Sequence, residues 1–533
     1  MNSKVFLSSR GLIHHFLESS ADLFPDKVAL IHEGARVTYE EINSYANGLA
    51  RWLRDNNVES GDRVALLIEN SLEYVTGYYG ILKAGAVAVP FGTDLKTDGL
   101  NHLLHEISPK ALISNARFER LLKSADLDNC NLDSLILKNP SQRWGSSSFK
   151  AYEWEDIIHY YDGANLNTSI AENALANIIF TSGSTGKPKG VMLSHRNIAT
   201  NTASIVQYLA LTDKDVQMIV LPFFYVMGKS LLNTHFAAGG TVVINNKFAF
   251  PASVISQMVE EEVTGFSGVP STYAYLINRS PLAMFRDKLH TLRYCSQAGG
   301  HMSRTIKEEL RKVLPVHTDI YIMYGATEAS ARLSYLEPAR LADKIDSIGK
   351  AIPGVRLAVV NKDGRELPAG EIGELAAKGL NIMQGYWKDP DATDNVLKNG
   401  RYLTGDLAYR DDEGYFYVTG RNDNMLKVGG HRINPIEIEE VMMESGLLIE
   451  TVVIGVPDTL QGHKLVALAI AKSNTDTPDD VLKYCAGKLP KFKMPATIKF
   501  IRNMPKSQSG KIDRKRCLEL LASHDIAKIS AKT

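Results

Sequence analysis

The sequence predicts an α/β protein: a large N-terminal domain with a largely parallel sheet, followed by a smaller α+β domain. Apolar strand segments alternate with helical segments at the spacing of βαβ units from residue 63 onward. After about Arg421 the pattern changes to short strands mixed with helices. Since 533 residues suffice for more than one hydrophobic core, we divide the chain into residues 1–421 and 422–533.

Individual elements follow from local patterns. Thr38 and Glu41 have the spacing of a capping box, and Ile42, Tyr45 and Leu49 then recur at helical spacing. Residues 126–171 are polar and weakly patterned, so we expect them at the periphery. The remaining predicted elements are a helix at 72–83 with strands at 63–68, 86–90, 111–113, 241–244 and 320–323, and, in the second domain, strands at 451–454 and 465–470 with helices at 436–444 and 479–488.

Composition argues against several classes of protein. Sixty basic residues balance sixty acidic residues, which gives no overall attraction to nucleic acid. No apolar run reaches the roughly 18 residues of a membrane span, and the N-terminus lacks the apolar core of a signal peptide. The four cysteines form no CxxC pair, so a zinc site or disulfide framework is not expected. We therefore expect a cytoplasmic protein with no transmembrane segment and no nucleic-acid partner.

The most informative segment is TSGSTGKPKG, residues 181–190. Its glycines allow backbone N–H groups to approach an anion, and its hydroxyls and lysines add hydrogen bonds and positive charge. It is not a Walker A loop, because Thr181 and Pro188 stand where that motif needs glycine and a hydroxyl residue. Such a segment is often only a surface loop. The apolar runs at 178–180 and 191–193 instead indicate a loop between two buried strands.

Further motifs follow in the order of the chain. Tyr324 to Glu328 places a carboxylate at the carboxyl edge of a sheet, where it suits Mg²⁺, although an acid there is also typical of any helix N-terminus. Residues 402–406 place Asp406 after a turn, where it accepts hydrogen bonds from ribose or simply closes the turn. In the basic tail at 488–516, a Ser-Gly turn holds Lys511 at a loop tip. The alternative is an ordinary solvated surface.

Together, in this order, the motifs resemble the adenylate-forming superfamily of acyl-CoA synthetases, adenylation domains and luciferases. The resemblance covers essentially the whole chain. It implies a layered, multi-sheet N-terminal domain and a mobile C-terminal domain that rotates about a hinge at Asp423. It also implies Lys511 as the lysine that bridges the acid and the α-phosphate, with Thr181 and Glu328 as further catalytic residues and Glu328 as the metal ligand. Gly429 and Gly430 match the channel through which a thiol enters.

The resemblance further implies a nucleotide site. Its residues are Thr181, Ser182, Gly183, Ser184, Thr185, Gly186 and Lys189 of the phosphate loop, Gly299 and Gly300 of the adenine and acyl pocket, and Tyr324, Thr327, Glu328, Asp406, Arg421, Arg432 and Lys511. The implied cofactors are ATP, Mg²⁺ and CoA, or the phosphopantetheine of a carrier protein. The implied reaction converts a carboxylic acid, as a small-molecule partner, to its acyl-AMP and then to a thioester. The alternatives are an enzyme that loads a separate carrier protein and a non-catalytic nucleotide-binding protein. The oligomeric state stays open.

The acid is predicted from residues that the resemblance assigns to the acyl pocket: Tyr225, Met323 and Gly325. Tyr225 replaces a histidine of many relatives and cannot pair with an α-ammonium group, which argues against an amino acid; alternatively, it only packs in the core. Acetyl-specific members carry a tryptophan near Gly325, so an open glycine argues against a two-carbon acid. Met323 narrows part of the tunnel. We expect a medium or larger acyl group.

Overall fold

The computed structural model describes residues 11–159, 163–182, 188–421, 424–458, 462–507 and 510–522, which form four β-sheets and the helices around them. The first sheet has nine strands. Six central strands run parallel, and antiparallel strands close both edges. In spatial order the strands are Lys350–Ala351, Ser334–Leu336, Asp319–Tyr324, Tyr294–Gln297, Gly265–Gly268, Val216–Ile219, Thr241–Ile244, Val28–His32 and Ala35–Thr38.

The second sheet has eight strands and is also parallel through most of its width. An antiparallel hairpin at one edge carries the flanks of the 181–190 segment. In spatial order the strands are Gly385–Tyr386, Pro188–Ser194, Leu175–Ser182, Val87–Pro90, Arg63–Leu67, Ala111–Asn115, Ser134–Lys138 and Lys150–Glu153.

The two smaller sheets come later in the chain. The third is entirely antiparallel, and the fourth contains only strands that follow residue 424. The boundary between residues 421 and 422 stays a prediction. The third sheet comprises Val355–Val360, Gly373–Gly379, Arg401–Arg410, Leu397–Lys398 and Phe416–Arg421; the fourth comprises His431–Ile433, Leu426–Val428, Gly462–Ala471, Leu448–Asp458 and Thr497–Phe500.

Helices cover the sheets, and none of those described combines the length and the apolar character needed to cross a membrane. The α-helices are His14–Leu23, Tyr39–Asp55, Leu72–Lys83, Thr97–Ile107, Glu119–Ser124, Trp154–Ile158, His195–Tyr208, Val226–Ala238, Pro251–Glu260, Pro270–Arg279, Leu282–Phe285, Arg304–Val313, Pro390–Val396, Pro435–Glu444, Pro478–Ala486 and Arg514–Ala522. Short 3₁₀ turns occur at Ala116–Phe118, Arg286–Lys288, Thr327–Ala329, Pro338–Arg340 and Lys491–Lys493.

Sequence patterns predicted these elements well where the hydrogen bonds join residues that are close together in the chain. The predicted capping box forms: the Thr38 side chain accepts from the Glu41 backbone, and the Glu41 carboxylate accepts from the Thr38 backbone. The helix Leu72–Lys83 has the predicted bounds. Among the described residues, the segment predicted to be peripheral lies at one edge of the eight-stranded sheet. It supplies the two strands that end the sheet there, Ser134–Lys138 and Lys150–Glu153, and Trp154 is buried.

The two large sheets share one apolar core. Strand residues of the eight-stranded sheet (Val64, Leu66) and of the nine-stranded sheet (Val242, Ile244) belong to a single buried cluster, and helix 72–83 lies between them. Such layering is how a two-sided sheet buries its apolar strands. It leaves the carboxyl ends of the parallel strands free to carry functional side chains.

Asp215 anchors the base of the nine-stranded sheet. Its carboxylate accepts hydrogen bonds from Arg293 Nη2 at 2.8 Å, Thr264 Oγ1 at 2.9 Å and the Thr212 backbone at 2.8 Å. Burial opposes its ionisation, but the hydrogen bonds and charge of Arg293 outweigh burial and hold the pKa of Asp215 below its ordinary value.

We expect Asp215→Asn to destabilise the N-terminal domain by about 1–3 kcal/mol, because donors aimed at a buried carboxylate lose a charged partner. A carboxyl group whose pKa is lowered by folding stabilises the folded state at pH values above the ordinary carboxyl pKa. This stabilisation disappears as the pH falls through the lowered pKa. The difference in the free energy of unfolding between wild type and variant should therefore be largest at neutral pH and should shrink below pH about 4. Denaturant unfolding at several pH values measures it. Asp343→Asn, at an exposed Arg340 pair, is the control; an equal loss there would contradict the assignment.

Candidate active site

The phosphate-loop segment begins and ends on paired strands, as predicted. Thr181 lies opposite Lys189 in the antiparallel pair, and the Thr181 hydroxyl lies 3.4 Å from the Lys189 carbonyl. The side chain of Ser182 and the whole of Gly183, Ser184, Thr185 and Gly186 lie outside the described residues. The described flanks thus place both ends of the loop at one edge of the eight-stranded sheet, next to the short strand Gly385–Tyr386.

Glu328 lies beside this loop. It sits in a 3₁₀ turn directly after the strand Asp319–Tyr324, at the carboxyl edge where it was predicted. Its Oε1 accepts a hydrogen bond from the Tyr386 hydroxyl at 2.8 Å, and the Lys189 ammonium lies 4.9 Å from the centre of the Tyr386 ring. Burial first, and then the Glu328 carboxylate, raises the pKa of Tyr386. Tyr386 therefore joins the phosphate loop to the predicted metal ligand.

A second carboxylate, Asp406, faces the same region. Tyr324 donates a hydrogen bond to Asp406 Oδ2, and Arg421 Nε lies 3.6 Å from Asp406 Oδ1. Burial, followed by the charge of Asp406, raises the pKa of Tyr324. Burial also raises the pKa of Tyr402, with Glu328 as the next cause and Asp406 among the lesser ones. The charges of Glu328 and Asp406 thus both act on Tyr402, which indicates that the two carboxylates belong to one site.

The predicted surroundings of Asp406 need correction. It does not follow a turn; it lies within the ten-residue strand Arg401–Arg410, directly opposite Arg421 in the register. Gly405 has a φ of +75°, a backbone conformation that favours glycine, and the strand register shifts just beyond it. This irregularity interrupts the regular ladder beside Asp406, whose carboxylate contacts Tyr324 and Arg421.

Lys511 reaches the site from the C-terminal part of the chain. The Ser507 backbone N–H donates to the Lys511 carbonyl at 2.8 Å, and Gly510 has a φ of +76°. Ser509, the other residue of the predicted Ser-Gly turn, lies outside the described residues. A Cβ at Gly299 would lie 3.1 Å from Lys511 Cε and 3.8 Å from its Nζ. The Lys511 ammonium also lies 5.7 Å from the centre of the Tyr225 ring. Glycine at 299 therefore leaves room for this lysine.

Other contacts support the position of Lys511. The Ser271 hydroxyl donates to the Gly510 carbonyl at 2.5 Å. The Lys506 ammonium lies 4.5 Å from the centre of the Tyr275 ring, and Glu440 accepts hydrogen bonds from the His301 ring and the Arg304 backbone. These contacts join the helices Pro270–Arg279 and Arg304–Val313 to the part of the chain that follows residue 424.

Three other predicted residues are not brought to the site. Gly429 and Gly430 form the turn of an exposed hairpin with φ values of +54° and +82°, and a Cβ at either would have no neighbour within 4 Å. Arg432 is exposed on the same hairpin, and no ion pair to the nucleotide residues is found for it within the described ranges. The predicted hinge, Asp423, lies outside the described residues.

The predicted acyl-pocket residues differ in their surroundings. Tyr225 is half-buried at the start of helix Val226–Ala238, below the Lys511 ammonium, so it does more than pack in the core. Met323 is buried, and its Sδ accepts contacts from the Tyr208 hydroxyl at 3.3 Å and Arg332 Nε at 3.2 Å. Gly300 has only ordinary contacts with Pro270.

The description of Gly325 as open was wrong. A Cβ there would lie 1.9 Å from the Ala331 carbonyl oxygen and 2.8 Å from Arg332 Cα. Glycine is needed because two backbone segments pass in contact, as in many close approaches of this kind. It does not open a tunnel, and the size of the acid cannot be argued from it.

Sequence reasoning missed three contacts: Tyr386 on Glu328, Ser271 on Gly510 and Arg332 on Met323. No motif surrounds these residues. The first two contacts join residues that are far apart in the chain, and the third involves a methionine within an apolar run. No local sequence pattern therefore identifies any of them. A resident Mg²⁺ fits the site, since the Glu328 carboxylate is a hard oxygen ligand and no protein cation is ion-paired with it in the described ranges.

Comparisons with known proteins identify the family of this chain. Residues 17–387 match the family described as AMP-binding enzyme, and residues 437–511 match the AMP-binding enzyme C-terminal domain. The chain therefore belongs to the AMP-binding enzyme family, and the predicted membership of the adenylate-forming superfamily is confirmed.

Individual relatives cover nearly the full chain. A long-chain-fatty-acid–CoA ligase of Bacillus subtilis is 28% identical over 534 residues, which cover 95% of this chain and 94% of that protein. A 2-succinylbenzoate–CoA ligase of Bacillus cytotoxicus is 29% identical over 512 residues, covering 95% and 98%. The structure of ATP-bound MatB from Rhodopseudomonas palustris superposes with a TM-score of 0.83 at 26% identity, covering 96% and 99%. The predicted fold class is thereby confirmed.

Proposed function

We propose that this protein activates a carboxylic acid as its acyl-AMP and transfers the acyl group to CoA. Its reaction class is that of the AMP-forming acid–CoA ligases, with ATP and CoA as co-substrates. The observation that carries the residue assignments is the position of Lys511, whose ammonium lies over Tyr225 and beside Gly299.

The first half-reaction joins two anions. A carboxylate is a poor electrophile, so it attacks the α-phosphate of ATP, pyrophosphate leaves, and AMP becomes the later leaving group. The site must offset the negative charge that meets there. Lys511 provides a cation on the acid side, Lys189 and the loop N–H groups provide donors on the phosphate side, and Arg421 lies beside Asp406, the proposed ribose ligand. Bound Mg²⁺, held by Glu328, would neutralise phosphate charge.

Alignment contributes as well as charge. Holding the acid and ATP in reactive geometry can supply about 7–11 kcal/mol of the barrier reduction. Lys511 is suited to this because its loop is fixed at both ends: Ser507 closes the turn from within, and Ser271 holds the Gly510 carbonyl from the other domain. A lysine held in this way can contact the acid and the α-phosphate together.

For the second half-reaction we propose that the C-terminal domain rotates, withdraws Lys511 and brings the Gly429–Gly430 turn to the acyl-adenylate. The hairpin is exposed and its turn has open space around it, so it is free to meet a new partner. The contacts to be broken include hydrogen bonds and ion pairs, and also apolar contacts, because one buried cluster holds residues of both parts such as Leu310 and Met442. No strand pairing joins the two parts among the described residues, and relative domain motion is the usual expectation unless an interface is large and hydrophobic.

The acid is the less defined part of the proposal. The relatives named above act on long-chain fatty acids and on 2-succinylbenzoate. Sequence identities of 28% and 29% to ligases of such different acids do not select one acid. The Tyr225 ring contacts the Phe224 ring and the Lys511 ammonium, and no carboxylate contacts it among the described residues. This supports an acyl acid over an amino acid. Loading of a separate carrier protein is the alternative acceptor reaction, and a cytoplasmic location remains a prediction.

The test is acid-dependent ATP–pyrophosphate exchange without any thiol, across fatty, aryl, hydroxy and amino acids. We expect exchange with acyl acids and none with amino acids. The adenylate of the best acid is then offered to CoA and to a phosphopantetheinylated carrier protein, and consumption by CoA is expected. Exchange confined to amino acids would refute the proposed acid class, and consumption only by the carrier would refute CoA as acceptor.

A further inference from the structure

Arg332 is a buried cation without an acidic partner. It lies four residues after Glu328 and is 2% exposed. Its Nε lies 3.2 Å from Met323 Sδ, its Nη1 donates to the Ala331 carbonyl at 3.2 Å, and the Tyr208 hydroxyl is its other neighbour. In the described part of the chain, no carboxylate lies within ion-pair distance of this guanidinium.

Other buried basic residues in this chain meet the cost of burial in ways that Arg332 does not. Lys83 is paired with Glu18 at 2.5 Å. Lys229 and Lys307 form no ion pair among the described residues, but burial lowers the pKa of each lysine, so either can give up its proton. Arginine keeps its charge inside proteins. A buried, charged guanidinium therefore calls for an anion from outside the chain.

The guanidinium is held against the predicted acyl pocket. Its Nε contacts the Sδ of Met323, one of the predicted acyl-pocket residues. Asn201 fixes the backbone of Arg332 through two hydrogen bonds. Its Nδ2 donates to the Arg332 carbonyl at 2.8 Å, and its Oδ1 accepts from the Arg332 backbone N–H at 3.3 Å. Tyr208 stacks on Tyr335 with ring centres 4.2 Å apart, which closes one side. The charge is thus positioned by the fold rather than free to leave.

We infer that Arg332 binds a second carboxylate on the acid substrate, at the end remote from the carboxylate that reacts. The substrate class is then a dicarboxylic acid that is activated at one end. This inference rests on the proposed function and deepens it, since it names the acid. A planar guanidinium suits a carboxylate because two parallel N–H groups can bind its two oxygens. A hydrocarbon end would leave the cation buried and unpaired.

The test compares acids that differ only at the far end: hexanoate with hexanedioate, and decanoate with decanedioate. Wild-type protein should show kcat/KM for pyrophosphate exchange at least about tenfold higher for a diacid than for its monoacid. Arg332→Met should lower the diacid value by at least about 30-fold, while the monoacid value stays equal or rises. Arg332→Lys should keep part of the diacid preference, because it keeps the charge and loses the fork.

Lys307→Met is the matched control: it also replaces a buried cation, which donates to the Ile345 carbonyl, by methionine. It should leave the ratio of diacid to monoacid unchanged. Thermal unfolding of each variant separates misfolding from altered specificity, and the lysine variant gives a second measure if the methionine variant does not fold. An equal fall for both acids in Arg332→Met, or exchange with other acids but with neither diacid, overturns the inference and leaves the proposed function intact. Exchange with no acid at all overturns the proposed function itself.

Discussion

Replacing Lys511 with alanine is expected to lower ATP–pyrophosphate exchange by roughly 10²–10³-fold, the usual loss when one preorganised charge is removed from a reacting centre. Thioester formation from chemically supplied acyl-adenylate should be spared. The reason is positional: the ammonium lies beside Gly299 and Tyr225 in the arrangement seen here, and the proposed rotation withdraws it before the thiol enters. Measuring the two half-reactions separately on one preparation tests both statements.

Lys515→Ala is the matched control for Lys511. It removes an exposed lysine from the helix Arg514–Ala522, four residues away, and changes the local charge by the same amount. Exchange should stay within about twofold, because the charge of an exposed side chain is strongly screened by water and contributes little. If Lys511→Ala damaged both half-reactions equally, the division of roles would be wrong. If Lys515→Ala matched its effect, the loss would reflect general charge.

The second large effect is expected from Gly430→Leu, which should block thioester formation while leaving pyrophosphate exchange near the wild-type rate. A side chain at 430 meets nothing within 4 Å in this arrangement, so adenylation has no reason to suffer. In the rotated arrangement the same side chain would occupy the proposed thiol channel. A misplacement of about 1 Å can cost 10²-fold, so a loss of at least that size is expected in the second step.

This experiment must distinguish backbone strain at residue 430 from obstruction of the thiol channel. Gly430 has a φ of +82°, a conformation that disfavours leucine. Gly446→Leu supplies the comparison. Gly446 lies in the same C-terminal part of the chain, has a φ of +71° and also has open space around it. It should cost similar stability and leave both half-reactions intact. A fall in exchange as large as the fall in thioester formation would remove Gly430 from the thiol channel.

Sequence alone predicted the features that depend on neighbouring residues. The capping box of Thr38 and Glu41 and the strands that flank the phosphate loop need only local hydrogen bonds and apolar runs. The surroundings of Asp406 were predicted incorrectly, because the glycine before it was read as a turn. Pairing with the strand Phe416–Arg421 keeps that glycine inside a long strand as an irregularity.

The remaining site contacts were beyond sequence reasoning because they join distant positions. Tyr386 and Glu328 are 58 residues apart, and Ser271 and Gly510 are 239 apart. Nothing in a single serine or tyrosine distinguishes it from others on the surface. Arg332 is a different case, since its residue type is visible in the sequence but its burial is not. Only the tertiary packing of Met323, Tyr208 and Asn201 around it shows that its charge is enclosed.

The contact between Gly325 and the Ala331 carbonyl restricts how this enzyme can acquire new substrates by mutation. Any side chain at 325 must push away the segment that also carries Arg332, and Glu328 lies in the same loop. A single substitution there would disturb acid recognition and catalysis together and yield an inactive protein. Variants with altered acid preference should therefore accumulate at positions 323 and 332, and a library that randomises 325 should return almost only the parental codon.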